Sequence, residues 1–151
     1  MFNFRRIVYV FIIFALTFID ISAAQLSEPG EKEKRWVYFK HNSFLVDVAE
    51  TEEQQEKGLM FVKSLPLNSG MLFIYREQAP RSFYMRNTYI PLDIIWIDKD
   101  KKVVFIKKDV ASENNGVYET LTTQEEAMYV LELNAGSTQR IGLKLGDKLQ
   151  F

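Results

Sequence analysis

The chain has no cysteine, one histidine and only four prolines among its 151 residues. Without cysteine it has no disulfide, no thiol nucleophile and no thiolate metal site. With His41 alone, zinc held by two or three imidazoles is excluded, as is any Ser-His catalytic arrangement that does not use His41. No metal site is expected, and no cofactor motif is present. Charge of one sign is lacking as well: 19 basic residues face 20 acidic ones. That balance gives no electrostatic reason to expect nucleic acid or an anionic membrane surface as a partner. No internal repeat or low-complexity tract occurs, and the longest apolar run, residues 7–19, is 13 residues, short of the ~20 that span a bilayer.

That run follows a basic head containing Arg5 and Arg6, and Ser22, Ala23 and Ala24 follow it at once. This three-part order is that of a secretory signal, with cleavage expected between Ala24 and Gln25 and an uncleaved anchor as the alternative. The expected organisation is a signal at 1–24, a polar lead-in at 25–34 and one domain at 35–151. Periplasmic or secreted localisation follows, with no stable membrane span after cleavage. Setting aside Arg5, Arg6 and Asp20 leaves 17 basic and 19 acidic residues, a formal charge of −2.

The remainder reads as short strands. Residues 35–39 and 44–49 are strand-like around a turn at His41, Asn42 and Ser43, where His41 is expected to be a surface residue. Thr51 and Gln54 have capping-box spacing for a short helix that Gly58 stops. The uniformly apolar 71–75 fits a strand buried on both faces, with 76–80 as a connection. Residues 92–97 and 102–106 form a hairpin, and 109–124 is a polar excursion with Asn114, Asn115 and Gly116 at its tip. A strand at 128–133, a single helical turn capped by Ser137 and a last strand at 148–151 complete the chain. About seven short strands, one short helix and no helix-strand alternation predict a mainly β, antiparallel sandwich or jelly-roll-like, partly closed barrel.

Residues 81–93, Arg-Ser-Phe-Tyr-Met-Arg-Asn-Thr-Tyr-Ile-Pro-Leu-Asp, mix aromatic, cationic, amide, hydroxyl and carboxylate groups too densely for core alone or loop alone. Alternation puts Phe83 and Met85 on one face and Tyr84 and Arg86 on the other. Tyr84, Arg86, Asn87, Thr88, Asp93 and Asn134 are therefore the candidate ligand-binding residues, suited to a sugar ring or a small carboxylate or phosphate. The structural alternatives are that Asn87 and Thr88 bond their own turn and that Arg86 and Asp93 pair inside the sheet. Glu132 stands in an apolar strand, on a solvated face or as a partly buried acid with a raised pKa. If Asp93 and Glu132 converge, a two-carboxylate hydrolase becomes possible. If a flat apolar patch surrounds Trp36, Tyr38 or Trp96, a protein-interaction module does. The isomer of the Ile90–Pro91 bond is open.

Five blocks, Gly58-Leu-Met60, Gly70-Met-Leu-Phe73, Phe83-Tyr-Met-Arg-Asn-Thr88, Ile90-Pro-Leu-Asp93 and Leu131-Glu-Leu-Asn-Ala-Gly136, fall in order and spacing. In these the chain, from about residue 37 to 151, resembles the family called domain of unknown function 192. The resemblance implies a small, mainly β, jelly-roll-like domain, often exported in bacteria, and no activity. Val62 stands where the family usually has Arg, and Tyr84 and Arg86 stand where it usually has Trp and Lys. The second pair keeps a flat ring and a cation; the first position loses a charge.

Overall fold

The structure, a computed structural model, describes residues 33–151. The expected signal and most of the lead-in lie outside the described residues.

Six strands form one sheet: β1 (Lys34–Phe39), β2 (Asn42–Ala49), β3 (Ser69–Tyr84), β4 (Leu92–Ile97), β5 (Val103–Val110) and β6 (Thr120–Asn134). Their order across the sheet is β1-β2-β3-β6-β4-β5. Every pairing is antiparallel except β2 with β3. A parallel pair needs a crossover. Here it runs through α1 (Glu52–Lys57), whose Thr51–Gln54 capping box is formed as expected. The mainly β, unclosed sheet agrees with the expected class.

β3 and β6 are far longer than the sequence suggests, 16 and 15 residues. Residues 76–80 are therefore strand rather than a connection, and the polar excursion shrinks to 111–119. Their polarity misled because the outer half of this ribbon is solvated on one face. Register shifts between Ile74 and Ala79, and between Pro80 and Ser82, interrupt the β3–β6 ladder. Bulges of this kind bend a strand. The ends of β3 and β6 thereby come over the sheet, so that Phe83 meets Phe73 at 5.0 Å and Trp96 at 5.7 Å, both edge-to-face. The last residues form no full strand, only single bridges from Lys148 to Lys102 and from Gln150 to Tyr38.

Period-two alternation divides the apolar residues into two cores, one on each face. Met71, Phe73, Leu92, Ile94, Trp96 and Val130 lie on the first face, covered by Leu59, Phe83, Met85 and Leu121. Leu72, Ile95, Ile97, Leu131 and Leu133 lie on the second, covered by Ile141, Leu143 and Leu149. All six residues of β4 are buried. No peptide bond among the described residues is cis, Ile90–Pro91 included.

Candidate functional site

Asp93 is fully buried, and its partners are backbone and hydroxyl donors rather than Arg86. Asp109 N and Gly136 N donate to Oδ1 at 3.0 and 3.2 Å, and Thr138 N and Oγ1 donate to Oδ2 at 2.8 and 2.7 Å. Asp93 thus caps α2 (Ser137–Ile141) from a neighbouring strand, and Ser137, the expected cap, makes no cap hydrogen bond. Gly136 at φ +80 lets the chain turn toward that carboxylate.

Asn134 spends its amide on a loop, donating to Leu65 O and Pro66 O at 3.1 Å each. Asn87 takes a positive φ of 56° and its N–H donates to the Glu113 carboxylate. Glu113 N in turn donates to Thr88 O at 2.8 Å. Residues 111–119 therefore clamp the 85–88 turn, and Thr88 is buried within it. Tyr84 and Arg86 remain on the outside as the alternation predicts, with the guanidinium 5.2 Å from the ring centroid. The expected edge from Tyr84 to Asp93 is thus not one surface: its first two residues face solvent and its last faces the second core.

The two-carboxylate idea fails on register. Asp93 is opposite Leu133, whereas Glu132 is opposite Ile94 on β4 and Met71 on β3. Opposed residues share a face, so Asp93 and Glu132 point to opposite sides of the sheet. The apolar-patch idea loses Trp96, which is fully buried with Nε1 donating to Arg81 O at 3.1 Å. Trp36 and Tyr38 stay about half exposed and stacked at 6.2 Å on the edge strand β1. His41 is an exposed turn residue, as expected.

Glu132 itself is 6% exposed. It lines a cavity of about 60 Å³ with Phe73, Tyr75, Phe83, Tyr84, Ser82 and Thr88, roofed by 58–60 at the end of α1. Its Oε2 has no hydrogen-bond partner. Among the described residues, no cationic side chain lies within 4 Å of it. Burial pushes its carboxyl up to about 8, so it is largely a neutral acid at pH 7. Tyr75, beneath the Arg81 guanidinium at 3.9 Å, is pushed up to about 12, chiefly by burial. Arg81 pulls against that rise and Glu132 adds to it.

The roof is held from two sides. Gln55 Nε2 donates to Ile74 O at 2.8 Å, and Phe61 N to Asn87 O at 2.8 Å, which ties 58–61 to the 85–88 turn. Gly58 has φ +46, and a Cβ there would sit 3.2 Å from the Phe73 ring. Sequence reading singled out Glu132 but missed Tyr75 and the roof. Tyr75 shares strand parity with Met71 and Phe73, so the register was the signal that would have found it.

The chain matches the DUF192 family, described as uncharacterized ACR, over residues 37–151. No protein of curated description matches it. A crystal structure from Sinorhizobium meliloti 1021, provisionally described as a transcription regulator, is 31% identical. It superposes with a TM-score of 0.74 over 80% of this chain and 95% of its own. A protein of unknown function from Novosphingobium aromaticivorans DSM 12444 is also 31% identical, with a TM-score of 0.74 over 86% of this chain and 97% of its own. Sequence blocks, fold and relatives agree: the chain belongs to the DUF192 family.

Proposed function

We propose that this protein binds a small polar molecule in the cavity floored by Glu132, with Tyr84 at its outer rim and Arg86 stacked on the Tyr84 ring beyond it. The single observation that carries this reading is the buried, unpartnered Glu132 oxygen facing a cavity walled by aromatic rings. An unsatisfied buried polar atom is destabilising, by about 1–3 kcal/mol or more. A fold that needed only a core would place an apolar residue between Leu131 and Leu133. A ligand that supplies the missing hydrogen bond turns that cost into affinity. The reading also takes the 7–19 run and the small residues after it as an export signal, so that ligand is met in the cell envelope. Intact mass of the protein recovered from the envelope tests that part, with cleavage after Ala24 expected. Regulation through nucleic acid, suggested by the description of the Sinorhizobium relative, has no support in the balanced charge of this chain.

A thermal-shift panel of amines, polyols, carboxylates and phosphates tests the site, with Glu132→Gln and Arg86→Ala run beside the wild type. A ligand at ~100 times its Kd stabilises by about 2.7 kcal/mol, a shift of several degrees here. The shift should vanish in Glu132→Gln. A hit lost in Arg86→Ala but kept in Glu132→Gln moves the site to the outer edge and overturns the cavity.

A further inference from the structure

We infer that the ligand is an aliphatic oligoamine: one ammonium enters the cavity against the Glu132 carboxylate, and the rest of the chain lies in the acidic cleft beside it. This rests on the cavity reading above and adds the chemical class.

Three observations carry it. The first is the absence of a counter-charge: Glu132 Oε2 is unpartnered, and among the described residues no protein cation lies within 4 Å. A hydroxyl could meet that oxygen as well, whereas an anion, which the protonated acid could receive, would face the carboxylates of Glu50, Glu52 and Glu53 in the adjoining cleft. The second is size and wall chemistry. A cavity of about 60 Å³ holds one or two water-sized groups, the size of an ammonium head. Its walls include the rings of Phe73, Phe83 and Tyr75, and the Tyr75 ring already holds a cation, the Arg81 guanidinium, 3.9 Å from its centroid. The third is the adjoining surface. Gln55 and Tyr75 also line a cleft of about 910 Å³, whose other walls include Glu50, Glu52, Glu53 and Arg76. Three carboxylates there face one guanidinium. Glu50 also lies 3.9 Å from Arg35, which leaves Glu52 and Glu53 as the carboxylates without an ion pair among the described residues. A second ammonium a few methylenes from the first suits that cleft.

The other charged or titratable groups around Glu132 are few. The α1 end contributes Glu56 and Lys57, β3 contributes Tyr75 with Arg81 stacked on it, and Tyr84 stands at the rim. The β4 side contributes apolar Ile94. Tyr75 keeps its proton across the neutral range, since burial holds it near 12. Glu132, whose unpartnered oxygen faces the cavity, changes charge near neutrality. Its carboxyl sits at about 8, so a bound ammonium displaces the Glu132 proton to solvent at lower pH. Amine affinity must then rise with pH up to about 8, approaching tenfold per unit.

Isothermal titration of the full chain with 1,4-diaminobutane and spermidine at pH 6.5, 7.5 and 8.5 tests this, each in two buffers of different ionisation enthalpy. The expected result is an affinity that climbs between pH 6.5 and 7.5 and flattens above 8. Near one proton should be released per amine at pH 6.5. Glu132→Gln should abolish the binding. Glu52→Gln with Glu53→Gln, both exposed in the first turn of α1, should weaken spermidine more than methylammonium titrated beside it, with the melting temperature of the variant checking its fold. Amine binding that ignores pH, or survives Glu132→Gln, overturns the inference. Failure of both amines while glycerol or another polyol binds, tighter at low pH and lost in Glu132→Leu, overturns the amine class and leaves the cavity reading standing. Failure of every probe overturns both.

Discussion

Replacing Glu132 by Gln should flatten part of the protein's stability-versus-pH curve, and the size of the effect follows from burial. The folded carboxyl sits at about 8 against an ordinary 4.5. Between those values the folded state holds a proton that the unfolded state has lost, so stability falls as pH rises through that window and levels off above it. A difference of about 3.5 pK units at 1.36 kcal/mol each sets a ceiling of about 5 kcal/mol above pH 8, and about 3 kcal/mol at pH 7. Gln has nearly the same shape and no titration, so the wild type loses this stability with rising pH and the variant does not. The assay is urea unfolding of both proteins at pH 5, 6, 7 and 8, plotted as the difference. Subtraction cancels the other carboxylates. The gap should move in favour of Glu132→Gln by a few kcal/mol from pH 5 to 8, which in melting temperature is on the order of 10 °C for a domain of this size. Parallel curves would refute the reasoning, because they would mean that the carboxyl ionises in the fold as freely as in the unfolded chain.

Asp93→Ala should lower stability by about 3–5 kcal/mol, because it strands four donors around one buried site; urea unfolding reads it, with Asp93→Asn intermediate. Gly70→Ala should destabilise at the upper end of ~1–3 kcal/mol, since the added Cβ would meet Glu132 O at 2.3 Å and Leu133 Cδ2 at 2.7 Å across the β3–β6 ladder. Loss of soluble, cooperatively unfolding protein checks it. Gly58→Ala should act locally, straining a positive-φ turn and pressing on Phe73, so that ligand-induced thermal shifts fall more than melting temperature does.

The family blocks were legible as blocks because each carries a geometric demand. Gly58 hugs a ring, Gly70 admits a neighbouring strand, and Asp93 caps a helix whose N-cap residue, Gly136, lies 43 residues later in the chain. What a single sequence could not supply was register. Strand identity around 92–97 and 128–133 follows from apolar runs, yet only the pairing of Asp93 with Leu133 and of Ile94 with Glu132 shows that the two acids face apart. A slip of one residue would have put both acids on the same face. The outer halves of β3 and β6 were missed for a related reason. Arg76, Glu77, Glu125 and Glu126 are polar because that ribbon is solvated, and polarity without a known partner strand reads as loop.

The sheet order also has a temporal meaning. β6 lies between β3 and β4, although β4 and β5 precede it in the chain. Met71 waits for Glu132, 61 residues later, before β3 gains its second neighbour. Until the ribosome has released residues 120–134, the β1–β2–β3 group and the β4–β5 hairpin are two separate fragments with bare inner edges. Such non-local closure is slow, on a millisecond-to-second scale. A chain that knits its two halves together only when β6 arrives exposes two bare inner sheet edges until the last of its strands is made.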